Sequence, residues 1–370
     1  MQGDESRPLS RPTGSVPAVE RMNREQFYAA MAGMDGDRLR KVLWTLYWRS
    51  AAPVRQRVEA ELAPEAARPR TREAVAGVDP DEVLGQVQQF VALARAGSYL
   101  SGDRRVSPKE RTRWRFTFRR LVADARQALR DEDIGPGVTA VTEMVDLACE
   151  VGGYDYFRSD DPVEAAGVVV SDEVSALWQR IQEVKGFPAF AGDAARQFVR
   201  WEAPYGWTRR GYGRVAEKET ALTTVLAGML PVPDAWTTFT TCYLTALKEA
   251  ETSPIRRPTP WGTTDYVRGR RAQAMAGWHA LLLERFAGTD DEGLLDRIVA
   301  SPGLGGPELT FFRAQLAHRR GDDDTARSLV VAALGKLPGH DGFLRFARDL
   351  AAPLPARAQQ VAEERSTPRT

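Results

Sequence analysis

Apolar residues along this chain recur at intervals of three and four, the spacing of one face of an α-helix. Leu39, Val42, Leu43, Leu46 and Tyr47 form one such face, with Trp44 and Trp48 four apart on its flank. Trp114, Phe118, Leu121, Val122, Ala125 and Leu129 fall within an arc of about 100°, the width of a core-facing stripe. Val138, Val141, Val145, Leu147 and Ala148 make the next. Further helices are expected near 172–185, 188–202, 217–230, 233–250, 265–287 and 291–300. Sustained alternation of apolar and polar positions, the mark of a half-buried strand, is absent, and the β-branched triplet Val168-Val169-Val170 fits a helix end as well as a strand. The pattern predicts an all-α protein, an array of antiparallel helical hairpins without a substantial sheet.

The helices announce their starts. Asp79-Pro80-Asp81-Glu82, Ser107-Pro108-Lys109-Glu110 and Asp161-Pro162-Val163-Glu164 share the form Asp/Ser-Pro-x-Glu. The first side chain accepts a free first-turn amide, proline pre-sets φ where its missing N–H costs nothing, and glutamate reaches back to the cap. Helices are therefore expected to begin at 80, 108 and 162. Asn23 with Gln26 marks an earlier start, and Asp35-Gly36-Asp37 separates two short helices before a third from Pro53. The acidic, glycine-rich 130–137 connection makes an αα-hairpin of its neighbours. The expected organisation is a disordered tail over 1–21, a three-helix unit over 22–63, a linker over 64–78, a central helical domain over 79–250, a Pro-rich loop over 251–264, a C-terminal helical domain over 265–350 and a disordered tail over 351–370.

Residues 309–346 read helix, turn, helix, turn, helix: Gly321-Asp322 makes a turn, Ala326 follows Gly321 by five, Ala333 follows by seven and Pro338 by five more, with Ala314, Ala317 and Val330 at further small or apolar positions. This resembles the tetratricopeptide repeat, although Thr310 and Arg313 stand where that pattern wants a large aromatic and a Leu-Gly pair. The resemblance implies stacked helical hairpins whose concave side binds a peptide or protein. The segments 102–106, 113–116, 154–158 and 205–209 resemble helical regions of uncharacterised actinobacterial proteins, some of which accompany SWIM-type zinc fingers. The ligands of such a finger are missing here, and no function carries over.

Composition narrows the picture. Net charge over the 370 residues is +1, so no whole-molecule pull toward nucleic acid or membrane is expected, though local patches remain open. Arginine far outnumbers lysine, a bias that a GC-rich genome explains. Cys149 and Cys242 are too far apart for a zinc site or disulfide framework and read as small buried hydrophobes. No apolar leader follows Met1 and no apolar run of membrane-spanning length occurs, so a cytoplasmic protein without a membrane partner is expected.

No catalytic or cofactor signature stands out. His279, His318 and His340 lie outside any metal-binding spacing. Gly211-Tyr212-Gly213-Arg214-Val215-Ala216 matches a dinucleotide-binding glycine run by letter but lacks a preceding strand. The acidic groups Asp160-Asp161 and Asp322-Asp323-Asp324 suit helix starts. Arg256-Arg257-Pro258 begins an exposed loop that serves for docking or as a crossover.

Two regions carry the candidate binding residues. Trp201–Arg214 interleaves Trp207 and Tyr212 with Arg209, Arg210 and Arg214; these stack on bases or phosphates, or glue a long loop to the helices. Arg104–Arg120 is the strongest basic cluster, holding Arg104, Arg105, Lys109, Arg111, Arg113, Arg115, Arg119 and Arg120, and Arg115 and Arg119 continue with Arg126 and Arg130 as a stripe. Such a stripe contacts phosphates, or lies solvated and paired to carboxylates. The expected function is a non-enzymatic scaffold or adaptor that binds another protein, without cofactor or metal. The alternative is a nucleic-acid-associated protein working through the two arginine-aromatic regions.

Overall fold

A computed structural model describes residues 24–49, 78–100, 105–202, 213–252 and 264–366. The chain divides into two compact units, Met1–Gly77 and Val78–Thr370. Every regular element among the described residues is a helix, as the apolar spacing predicts.

In the N-terminal unit, α1 spans Arg24–Ala32 and α2 spans Gly36–Arg49. Asp35 accepts the amide of Arg38 at 2.7 Å and starts α2 where the acidic-glycine break is read. The third helix expected from Pro53, the tail over 1–21 and nearly all of the linker over 64–78 lie outside the described residues.

The larger unit begins with α3 (Pro80–Arg95) and α4 (Pro108–Ala128). Asp79 caps α3 through the amides of Asp81 and Glu82, and Ser107 with Glu110 closes a full capping box on α4. Next come α5 (Gly135–Glu150) and the short α6 (Pro162–Ala166), capped by Asp161 and ended by left-handed Gly167. All three expected starts are therefore found. Helix α7 runs Val170–Trp201 and breaks at Gly186, just before Pro188, which resolves the two helices expected near 172–185 and 188–202. Of the Val168-Val169-Val170 triplet, Val169 is the extended cap and Val170 the first residue of α7, so the triplet is a helix start and not a strand.

The next helices are α8 (Leu222–Met229), α9 (Pro233–Thr252), α10 (Thr264–Ala274), α11 (Ala276–Phe286) and α12 (Gly293–Val299). The 265–287 pattern is thus interrupted at Met275. The chain closes with α13 (Gly306–Arg319), α14 (Asp323–Lys336), α15 (Asp341–Asp349) and α16 (Ala356–Ser366). Helix α16 corrects the expectation of a disordered tail from 351. Its Ala358 is fully buried, and Ala352 and Leu354 pack on the same C-terminal cluster, so the segment has an apolar anchor despite its polar composition.

Packing follows chain order closely. Helix α5 packs on α3, α4 and α7; α7 packs on α9; α13 packs on α10, α11 and most extensively on α14. At the α4–α5 corner the backbones nearly touch: a Cβ on Gly137 would lie 2.6 Å from the amide nitrogen of Leu129. One continuous core extends from Val83 to Leu316. Phe157 stacks on Trp114 at 4.3 Å and meets Phe90, Tyr99 and Phe118 at one end, while Trp278 stacks on Trp236 at 5.4 Å and meets Phe198, Phe239 and Tyr243 at the other. A second, smaller cluster of Ala314, Val330, Ala333, Leu334, Phe343, Leu344, Ala347 and Ala358 joins the last four helices. The central and C-terminal regions read separately from sequence thus fall within one unit.

Candidate functional site

The last carbonyls of a helix have no partner within it and carry the negative end of its dipole. Arginines fill that role repeatedly in this protein. Arg105 donates to Ala96 O at the end of α3, Arg119 to Ala166 O at the end of α6 at 2.6 Å, and Arg180 to Leu129 O at the end of α4. Arg271 donates to Ala250 O in the last turn of α9, and Arg327 to Leu350 O at the end of α15. Others are held by carboxylates: Arg95 grips Glu150 through two nitrogens at 2.9 and 2.8 Å, and Arg126 reaches Glu173 at 3.1 Å.

These assignments divide the basic cluster. Arg119 lies against Gly167, where a Cβ would meet its guanidinium at 2.6 Å. Arg120 is held by Asp124 and Gln86, and Arg130 by Gln127. The stripe expected from Arg115 through Arg130 is therefore largely bound into the fold. Arg104 lies outside the described residues. Arg115 stays exposed and forms no ion pair among the described residues; its guanidinium carbon sits 4.9 Å from the centre of the exposed Phe116 ring.

Arg115 lines a groove of about 600 Å³ with Arg111 and Arg158, between the start of α4 and the turn after α5. Each arginine is placed by its neighbours. Arg111 donates to Leu100 O at 3.3 Å, which fixes it half-buried at one wall. Arg158 follows Phe157, the wedge of the aromatic cluster, and Tyr156, whose hydroxyl donates to Glu150 at 3.2 Å. The turn is thereby pinned while Arg158 itself stays exposed, with no ion pair among the described residues.

Of the acids nearest in sequence, Glu110 and Asp161 are spent on helix starts, although the charge on Glu110 still acts on Tyr99 of the groove floor. Glu110 accepts from the Ser107 amide at 3.0 Å and hydroxyl at 2.6 Å, and those bonds hold its carboxyl below the usual range. Asp161 caps α6, and Asp160 forms no ion pair among the described residues. Burial, with the Glu110 charge nearby, pushes the Tyr99 phenol up to about 12, so the groove floor is neutral. Three guanidinium groups on a neutral, partly apolar floor suit a carboxylate or phosphate, because guanidinium matches the planar acceptor geometry of such groups. Arg158 was not among the sequence candidates. Its only signal was the Tyr156-Phe157-Arg158 order, in which two anchoring aromatics precede the charge.

Trp207, Arg209, Arg210 and Tyr212 lie outside the described residues. The end of their segment is instructive. Arg214, Val215 and Ala216 present three consecutive amides to the Glu164 carboxylate at 2.9, 3.0 and 3.3 Å. Such an amide run is the device by which glycine-rich loops cradle phosphate. Here an internal carboxylate occupies it, and a Cβ on Gly213 would strike that carboxylate at 2.4 Å. The dinucleotide-like letters therefore build an internal clasp. Glu164 has left the back-bonding role that its Asp-Pro-x-Glu position suggests. The Arg214 side chain stays exposed.

The three histidines sit apart. His279 is buried against Tyr243, His318 pairs with Asp323 at 2.6 Å, and His340 caps α15 through the Phe343 amide. Among the described residues no group of three or more His, Cys, Asp or Glu side chains is placed to hold a metal ion. Neither Cys149 nor Cys242 forms a disulfide, and both are half-buried, packed against the core and not fully within it. A second groove of about 450 Å³ lies among α11, α13 and α15, lined by Leu283, Glu284, Gln315, His318, Arg319 and Phe346. No helix among the described residues is long and apolar enough to cross a membrane. Comparison with protein families, curated proteins and solved structures finds no match to this chain.

Proposed function

We propose that this protein is a non-enzymatic helical adaptor, and that the Arg111–Arg115–Arg158 groove takes an acidic segment of a partner protein. The carrying observation is that Arg115 and Arg158 line a concave site without an ion-pair partner among the described residues, while most arginines around them are spent inside the fold. Unspent, oriented positive charge on a neutral floor favours an anionic partner and speeds its encounter.

Protein is favoured over nucleic acid by the layout. Duplex or strand binding wants a track of cations along the backbone and aromatic faces for bases. Here Arg119, Arg120 and Arg126 are engaged, and Trp114 is only 5% exposed beneath Phe157. The C-terminal helices are read as a tetratricopeptide-like unit within an array of hairpins. Supporting this, Ala314, Ala326 and Ala333 are fully buried where helices approach, and Gly321 turns with φ of 80°. The reading puts the adaptor in the cytoplasm, a reducing compartment consistent with Cys149 and Cys242 forming no disulfide.

The test is capture of partners on the tagged full chain near physiological ionic strength, with and without nuclease, for wild type and for Arg115→Glu/Arg158→Glu. A stoichiometric protein that survives nuclease and is lost with the double variant is the expected result. Nucleic acid in the eluate, with partners lost on digestion, would establish the other reading. Absence of any reproducible partner counts against the adaptor.

A further inference from the structure

The groove beside α4 holds more donors than one acidic side chain can use. Arg111 and Arg115 stand four residues apart on α4, so their side chains leave one face of the helix, about 6 Å apart along its axis. Arg158 reaches the same groove from the turn after α5. That turn is tight: the Ser159 amide donates to Phe157 O at 3.0 Å, and the Phe157 ring is stacked on Trp114. Ser159 lines the groove half-buried, and its hydroxyl has no hydrogen-bond partner among the described residues. Arg115 and Arg158 commit no guanidinium nitrogen to a hydrogen bond or ion pair, and Arg111 commits one, to Leu100 O. No acid stands among the described residues that line the groove.

From this arrangement we infer that the groove binds a phosphoryl group, carried as a phosphorylated side chain on the partner's segment. The inference rests on the reading of the groove as a partner site and names the group it grips. Charge is the first reason. Three positive charges share one concave space; a carboxylate returns one negative charge, and a phosphomonoester about 1.5 to 2. Acceptor number is the second. A carboxylate has two oxygens, and one forked guanidinium takes both. A phosphomonoester keeps three terminal oxygens, enough for the forks of Arg115 and Arg158, the remaining nitrogens of Arg111 and the Ser159 hydroxyl. Clusters of arginine are the general means of reading phosphorylated segments for this reason. Preorganisation is the third. Arg111 is tied to Leu100 O, Arg115 lies over the Phe116 ring and Arg158 springs from a pinned turn, so less ordering opposes binding. The volume of about 600 Å³ leaves room for residues beside the phosphoryl group, over the apolar surface of Leu100, Pro108 and Ala165. A nucleic-acid phosphodiester brings one charge per phosphate and wants a track of cations, which this single cluster does not supply.

The experiment titrates the full chain with labelled five-residue peptides, ends blocked and alanine at the flanks, read by fluorescence anisotropy. The centre is phosphoserine, phosphotyrosine, serine or a run of three glutamates. At least one phosphopeptide should bind tenfold or more tighter than both the serine and the triple-glutamate peptides. Arg158→Ala should weaken it at least tenfold and Ser159→Ala about fivefold, each with an unchanged melt, since neither side chain bonds within the fold. Arg113→Ala, an exposed arginine of α4 outside the groove, should leave binding intact. A triple-glutamate peptide that matches the phosphopeptides while still needing Arg158 would overturn this inference and keep the groove as an acidic-segment site. Failure of every peptide to bind in an Arg158-dependent way would overturn both. So would equal weakening by Arg113→Ala, which would mark diffuse charge attraction. Displacement of the phosphopeptide by an equal concentration of inorganic phosphate, or by oligothymidylate at equal phosphate, would overturn the inference in favour of a free phosphate or a nucleic acid.

Discussion

At the scale of single residues, His279 is the most consequential titratable group. Its Nε2 is hydrogen-bonded to the Tyr243 hydroxyl at 2.8 Å inside the main core, and burial lowers its pKa from 6.5 to about 3. The folded protein thus refuses a proton that the unfolded chain accepts, so stability is lost as pH falls below about 6.5 toward 3. For a lone group this amounts to ~2 kcal/mol between pH 7 and pH 5. His279→Gln keeps a hydrogen-bonding group for Tyr243 without the titration. Its urea midpoint should therefore fall less than that of wild type over the same interval, and equal pH slopes for the two proteins would exclude the assignment. Residue-scale roles were only partly legible in the sequence. Ser107 and Glu110 do what their spacing says, but Glu164 occupies the equivalent position and turns to three amides about fifty residues away. Spacing reports local bonds and is silent on distant competitors.

At the scale of elements, helix starts were legible because cap, proline and glutamate act within one turn. The break in α7 was legible too, through Gly186 and Pro188. Helix α16 was not, because alanine is the anchor and alanine carries little periodic signal. Nor was the α4–α5 corner, whose tightness depends on Gly137 meeting the backbone of Ala128 and Leu129. Gly137→Ala would force that hairpin apart. Overpacking of this kind costs about 1–3 kcal/mol, and a thermal melt should fall accordingly; an unchanged melting temperature would show that the corner has slack.

At the scale of the whole molecule, the all-α class followed from periodicity alone, since a 3.6-residue repeat cannot serve a sheet. The groove did not follow. The sequence shows eight basic residues over 104–120 but not which ones the fold consumes. That is decided by carbonyls and carboxylates from other helices, such as Ala166 O for Arg119 and Glu173 for Arg126. Charge left over after those demands is a property of the folded molecule. If the groove works as proposed, its complex should weaken steeply with salt while the fold does not, because exposed charges are screened and the helix-end bonds of Arg119 and Arg271 are partly buried. Titration calorimetry with the captured partner, beside a melt at the same salt, measures both.

The two apolar clusters share helix α13: Phe312 and Leu316 face the main core, and Ala314 faces the C-terminal one. Read as local unfolding equilibria, this makes α13 a border between regions of unequal protection. The C-terminal cluster holds few large side chains, so α14–α16 can open as a cooperative unit well below the global unfolding free energy. Amide exchange should then separate α14–α16 from α13, whose main-core face keeps it closed. Equal protection across that border would mean the molecule unfolds as one.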